Sequence, residues 1–206
     1  MAIDQFAGMQ SGRVAVPREI LRSQDYKLEI GGDIDAANAI DGSNTGFTNI
    51  IRGGWLLGQI TASKKWVPLK RSLASATTTA GNTVTVNSAA AFKVGDAIDI
   101  GATTNRTITA INYSTNVITF GGGTINVSLF DVVAARDGSQ NCRGILINDE
   151  VELLDYENRV ATDKPARILI AGFVFNSRLL GDVAAAAIDT SSPLTGRILR
   201  DSEYGF

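Results

Sequence analysis

The 206-residue chain contains no histidine. That absence removes the side chain that most often acts as a general base near neutral pH, and with it Ser–His and Cys–His nucleophilic sites. The commonest transition-metal ligand is missing too, and no cofactor is expected. A single cysteine, Cys142, cannot close an intramolecular disulfide, which excludes a disulfide-stapled secreted domain. Without a histidine partner, Cys142 is expected to be a small buried side chain and not an activated thiolate. There is no basic run either: 19 Lys and Arg against 21 Asp and Glu leave a formal net charge of −2. Nucleic acid is therefore not an expected partner, since binding needs clustered cations to displace phosphate counterions. The longest apolar stretches, such as Ile168–Val174, fall well short of a membrane span, and no membrane partner is expected. Met1–Gln10 lacks the charged start and apolar run of a signal peptide, so assembly in a cytoplasm is the expectation.

What is present is a 44% hydrophobic composition, enough for a real core in one domain of unusual shape or two small ones. The first 25 residues carry no sustained hydrophobic period and read as an extended arm. Phe6, Met9, Val14, Val16, Ile20 and Leu21 are its candidate anchors. The alternation Arg13-Val14-Ala15-Val16 before Pro17 suits an edge strand that adds to a partner's sheet; a disordered terminus is the other reading. Tyr26–Ile30 alternates as a strand, and Gly31-Gly32 is expected to break it. Asp33 to Gly46 reads as a solvated turn. Asp33, Asp35 and Asp41 lack the central glycine and final glutamate of a calcium-binding loop. Trp55–Thr61 and Trp66–Leu69 read as a hairpin, with Pro68 at an edge or strand end.

From residue 73 to 133 the composition shifts to Thr, Asn, Ala, Gly, Val and Ile with few charges. Thr83–Val86, Ala97–Ile100, Thr107–Ala110 and Ile118–Phe120 alternate cleanly between Gly and Asn turns, and Phe120 falls on the inward side. Short strands so closely spaced predict a small antiparallel barrel or sandwich. Gly121-Gly122-Gly123 is a turn, because no helix start and no Lys-Ser/Thr follow it. Beyond the insert come a turn at Asp137-Gly138-Ser139, a strand from Gly144 and an acidic loop over Asn148–Glu157. Next is a nearly all-apolar strand over Ala166–Phe175, predicted to be buried on both faces. Ser177–Ile188 reads as the one helix and Ser191–Phe206 as a polar tail.

With the insert set aside, the flanking phrases form one pattern. Gly54-Trp55-Leu56-Leu57-Gly58-Gln59-Ile60-Thr61 leads to Val67-Pro68-Leu69. Asp137-Gly138-Ser139 precedes Gly144-Ile145-Leu146, and Ile168–Val174 comes last. This resembles the head decoration protein family of lambda-like tailed phages, over about half of the chain. Pro17-Arg18-Glu19 is similar to the family's lead-in to its first strand. The insert and the stretch after Ile188 fall outside the pattern.

The resemblance implies a mainly β fold. A compact, barrel-like (β-tulip) decoration domain would comprise residues 26–72 and 134–190, with one short helix and an inserted β lobe at 73–133. An N-terminal arm (1–25) and a C-terminal tail (191–206) would flank it. It further implies a non-enzymatic cement protein on the outer surface of an expanded virion head, with the major capsid protein and itself, as a homotrimer, for partners. Trp55 and Trp66 are possible interface anchors, because Trp dominates binding hot spots; at least one is expected to be core. Three rivals stay open. A carbohydrate-binding module for host-surface glycans would use Phe92, Tyr113, Phe120 or Phe130. A small hydrolase would use Asp149, Glu150, Glu152 and Asp155, which read more simply as a solvated loop. The third is a tail structural protein.

Overall fold

The computed structural model describes residues 20–23, 26–155, 157–189 and 192–201. The protein is mainly β with one short α-helix. In chain order the strands are β1 (Leu28–Ile34), β2 (Ile50–Arg52), β3 (Leu56–Gln59) and β4 (Trp66–Pro68). Then follow β5 (Arg71–Leu73), β6 (Thr78–Gly81), β7 (Thr83–Thr85), β8 (Ala97–Ile100), β9 (Thr103–Asn112), β10 (Val117–Phe120), β11 (Ile125–Val127) and β12 (Val132–Ala135). The last are β13 (Cys142–Leu146), β14 (Glu150–Glu152), β15 (Lys164–Phe175), helix α1 (Val183–Ala187) and β16 (Ile198–Asp201).

One barrel is built from both sides of the insert. Its strands run β1-β4-β3-β13-β15, and antiparallel pairing of β1 with β15 closes the ring. Leu28 lies opposite Ala171 at one end of that ribbon and Ile34 opposite Lys164 at the other. Ile34, Leu57, Trp66, Leu146 and Ile168 share the core cluster inside it. Gly31-Gly32 does not end β1, contrary to the sequence expectation. A Cβ on Gly32 would lie 2.4 Å from the Trp66 Nε1 atom, so glycine here makes room for an indole ring.

A second apolar layer covers the outside of this barrel. Leu56, Cys142, Ile145 and Leu169 pack there against Ile20, Leu21, Leu179, Ala186, Leu194 and Ile198. Two sandwiched faces explain why β3 is buried at all but its last residue, with Leu57 in the inner cluster and Leu56 in the outer one. In β15 consecutive burial is limited to Ile168 and Leu169, and the rest of the strand does not bury both faces as predicted.

The covering layer also corrects two sequence expectations. The helix predicted over Ser177–Ile188 shrinks to α1, because the chain turns at Gly181 (φ +96°) and Asp182 caps the helix, its Oδ1 accepting from the Ala185 N–H at 3.0 Å. The predicted tail is paired in the sheet as far as Asp201. A 3-10 turn at Pro193–Thr195 leads into β16, which lies parallel to the end of β15.

The insert is a barrel in its own right. Its order is β5-β12-β8-β9-β10-β7, and an Ala74–Val86 bridge joins the two ends. Val84, Phe92, Ile98, Ile108, Ile118, Phe120 and Val133 fill it. β7, β8 and β10 lie where the alternation predicts, and Phe120 points inward. The insert leaves and returns through adjacent strands, with Arg71–Leu73 paired to Val132–Ala134.

Buried polar groups fasten the two barrels. Lys70 is fully buried and its Nζ sits 2.8 Å from the Asp96 carboxylate. Asp182 Oδ2 accepts from the Ser72 hydroxyl and the Leu73 N–H, both at 2.9 Å. The loop after β1 receives the insert directly: the Gly42 N–H donates to the Ala90 carbonyl at 2.8 Å. That loop is not a solvated turn. Asp35 and Asp41 are buried, the first accepting from the Ala37 and Asn38 N–H groups, the second held by Arg52 at 2.7 and 3.0 Å. Nor is Asn148–Glu157 all loop, since β14 pairs with β2.

Candidate functional site

The Leu28/Ala171 end of the β1–β15 ribbon is where the surface departs from an ordinary polar exterior. Tyr26, Leu28 and Ile30 are 72%, 56% and 37% exposed, a row of apolar side chains spaced two residues apart. Phe173 meets Tyr26 edge-on, with ring centroids 6.5 Å apart. Between them lies a groove of about 310 Å³, floored by Ala171 and Gly172 and bounded by Arg197. A second cavity of about 350 Å³ adjoins it and takes one lining residue from each strand of the barrel: Ile30, Trp66, Gln59, Arg143 and Ile170. Pro193 and Arg197 complete its rim. It is the barrel's mouth. The guanidinium groups of Arg143 and Arg197 make no ion pair or hydrogen bond among the described residues.

On the same ribbon Glu29 stands between the Lys27 ammonium and the Arg167 guanidinium, each 2.7 Å away. The hydrogen bond from Lys27, helped by Arg167, holds its carboxyl below the usual range. The end of β15 also gathers both flanks of the chain. On one side Leu21 bridges Val174 and the Phe175 N–H donates to the Ile20 carbonyl at 3.0 Å. On the other, Asp201 lies opposite Phe175. Residues 1–19 and 202–206 are thus attached at one strand end, beside the exposed apolar row. The insert barrel touches the loop beyond the opposite end of the ribbon.

The expected anchors fare differently. Phe6, Met9, Val14 and Val16 lie outside the described residues. Ile20 and Leu21 are 3% and 9% exposed and belong to the chain's own outer layer, so they are not free arm anchors. Trp55 and Trp66 are both buried, at 1% and 6%, because the apolar layers of a five-stranded barrel need large rings to fill them. Neither is an exposed interface anchor.

The residues singled out for chemistry are placed as follows. Burial pushes the Cys142 thiol up to about 11, which keeps it protonated and unreactive at neutral pH. Glu150 and Glu152 flank the buried Val151 on β14. Glu152 faces Arg159 at 3.4 Å, and Asp155 accepts from the Asn158 N–H. Among the described residues no three His, Cys, Asp or Glu side chains converge as a metal-ligand set. Of the insert's aromatic residues, Phe92 and Phe120 are core, Tyr113 packs against that core and donates to the Phe92 carbonyl, and Phe130 is exposed.

The cavity-lining residues that sequence reasoning did not single out are Arg143, Arg197, Ile170 and the exposed apolar row at the start of β1. The alternation of Tyr26–Ile30 with Lys27 and Glu29 revealed a strand. Which of its two faces remains uncovered depends on the layers packed around it. No helix among the described residues is long and apolar enough to cross a membrane. The chain matches no family model, no curated protein and no solved structure in the comparisons made with known proteins.

Proposed function

We propose that this chain is a structural, non-catalytic protein, a cement protein that binds the outer surface of a tailed-phage head. The observation that carries this reading is the gathering of both chain flanks beside the uncovered apolar row at one end of the β1–β15 ribbon. An exposed row of Tyr26, Leu28 and Ile30 next to a preformed groove is the kind of patch that marks a protein interface. A 19-residue segment attached beside it reaches up to about 60 Å when extended. It can therefore pair with a sheet of the major capsid protein by strand addition while the patch seats on the shell. An interface of standard size takes about 800 Å² from each partner. Linking several such contacts in a homotrimer tightens overall binding by roughly 10²–10⁴. In this arrangement the insert barrel stands away from the shell.

The test uses expanded heads lacking this protein. Bound copies and the temperature of head rupture are measured with the full chain and with a chain lacking residues 1–19, a cut that spares Ile20–Arg22 and the outer layer. Saturable binding with a raised rupture temperature, both lost on truncation, supports the reading. Absence of binding to heads, or binding that leaves their stability unchanged, rejects it.

A further inference from the structure

Two irregularities in strand pairing shape the lining of the barrel mouth. In β13, Cys142 lies opposite Gly58 and Gly144 opposite Leu57, which leaves Arg143 as an extra residue in the ladder. In β15, Leu169 and Ala171 lie opposite the consecutive Glu29 and Leu28, which leaves Ile170 as another. Both extra residues line the mouth. A bulge bends its strand and re-aims a side chain, and bulges concentrate at barrel rims and beside functional sites. Arg197, which also lines the mouth, is fixed through its backbone. Its N–H donates to the Pro193 carbonyl at 2.9 Å, and its carbonyl accepts from the Gly172 N–H at 3.1 Å. Ile34, Leu57, Leu146 and Ile168 fill the barrel interior, so an occupant sits in the mouth and not in the lumen.

We infer that this mouth binds a small organic acid, a carboxylate carried on a compact apolar body. Side-chain donors outnumber side-chain acceptors on the lining. The Arg143 and Arg197 guanidinium groups have no partner among the described residues, and the Trp66 indole N–H has no acceptor there. No carboxylate of the described residues lines the cavity. The Gln59 amide nitrogen already donates to the Lys64 carbonyl at 2.7 Å. Two like charges with no counter-charge between them repel, and an anion relieves that repulsion. A carboxylate matches the planar donor fork of arginine. The remaining lining, Ile30, Ile170 and Pro193, suits hydrocarbon. A singly charged head is favoured over a phosphate beside such a surface, because desolvating further charge costs more. The volume of about 350 Å³ lies within the range of small-molecule pockets, and the mouths of β-barrels are a common place for them. The inference goes beyond the cement reading and does not rest on it: it is tested on the protein alone in solution, whereas the cement reading is tested by copies bound to heads.

Titration calorimetry of the full chain with phenylpropionate provides the test, alongside NMR of the arginine Nε–H signals. Binding is expected with a Kd of about 0.1–1 mM, ordinary for an acid of this size, and with shifts of the Arg143 and Arg197 signals. Neutral phenylpropanol, which lacks the charge, and acetate, which lacks the apolar body, are each expected to bind at least about tenfold more weakly. Arg143→Gln with Arg197→Gln should weaken binding about tenfold or more. Its melting temperature should be unchanged, because both side chains are exposed. Arg106→Gln with Arg159→Gln removes the same charge at two residues that do not line the mouth, and should leave binding intact. Absence of binding at about 10 mM phenylpropionate overturns the inference. So does undiminished binding by the mouth variant, an equal loss in the control variant, or phenylpropanol binding as tightly as the acid. NMR shifts confined to other arginines overturn it too, and that measurement needs no variant. Phenyl phosphate binding more tightly than phenylpropionate overturns the choice of a carboxylate.

Discussion

The two barrels of this molecule close in similar ways yet are held by different means. In the insert, β8 and β10 alternate a buried residue with a more exposed one, and a single interior cluster around Phe92 and Phe120 does the packing. In the other barrel, β3 is buried on both faces, because segments far apart in sequence wrap the outside: Ile20 and Leu21 before it, Leu194 and Ile198 after it. A barrel with one buried face needs only its own strands. A barrel with two needs a coat, and the coat ties both flanks of the chain to β15.

The sharpest way to break that comparison is to remove the coat. Deleting residues 1–22 takes away Ile20 and Leu21 and should cost about 3–6 kcal/mol of stability, since fully burying each such side chain gains about 1.5–3 kcal/mol. Deleting only residues 1–19 should cost far less, and urea unfolding of the two truncations measures the difference. Next in size is the junction. Asp96→Ala leaves the Lys70 ammonium buried without its partner and should cost about 3–5 kcal/mol. The double variant Lys70→Met with Asp96→Asn should recover most of that loss in the same assay.

A smaller effect separates two adjacent glycines of β1. Gly32→Ala forces a methyl into the Trp66 ring and should destabilise by about 1–3 kcal/mol. At Gly31 a Cβ meets nothing within 4 Å, so Gly31→Ala should be neutral or stabilise by up to about 1 kcal/mol. Equal melting temperatures for the two variants would contradict the close packing at Gly32. The smallest effect is pH dependence at the ribbon. Asp163 is held below its ordinary value by the Lys65 ammonium first and the Ala36 N–H second, and Glu29 by Lys27 first and then by Arg167. Both carboxyls bind protons more weakly folded than unfolded, so their contribution is present above the ordinary carboxylate value. It is lost as the pH falls below about 4 through the lowered folded values. Stability measured from pH 7 down to pH 3 should hold at first and then drop, and the drop should shrink in Asp163→Asn.

How legible each part was depended on whether its pattern was local. Thr83–Val86 and Ile118–Phe120 could be assigned because each alternates within a few residues and faces one core. Gly31-Gly32 misled, since the same dipeptide that ends a strand in a turn also admits an indole when Trp66 packs against it. Asp35 and Asp41 looked solvated because carboxylates in loops usually are. The Arg52 guanidinium and the loop's own N–H groups buried them. Ile20 and Leu21 looked like arm residues, since nothing nearby in sequence announces that β15 will pair with them. The candidate site was the least legible part: Arg143 and Arg197 are far apart in sequence and share a cavity only after the barrel closes.

The sequence by itself determined that this is a mainly β chain with one short helix, with strands where hydrophobicity alternates and turns where Gly, Asn and Asp cluster. These are properties of short windows, governed by backbone sterics and the two-residue period of a strand. The tertiary structure alone decided which faces are covered. It spent both tryptophans on the core and left Tyr26, Leu28 and Ile30 in the open. It brought two distant arginines to one cavity and set both flanks of the chain at one strand end. The physical reason is that burial belongs to the assembled layers, and no single segment carries the information about what will pack on its other side.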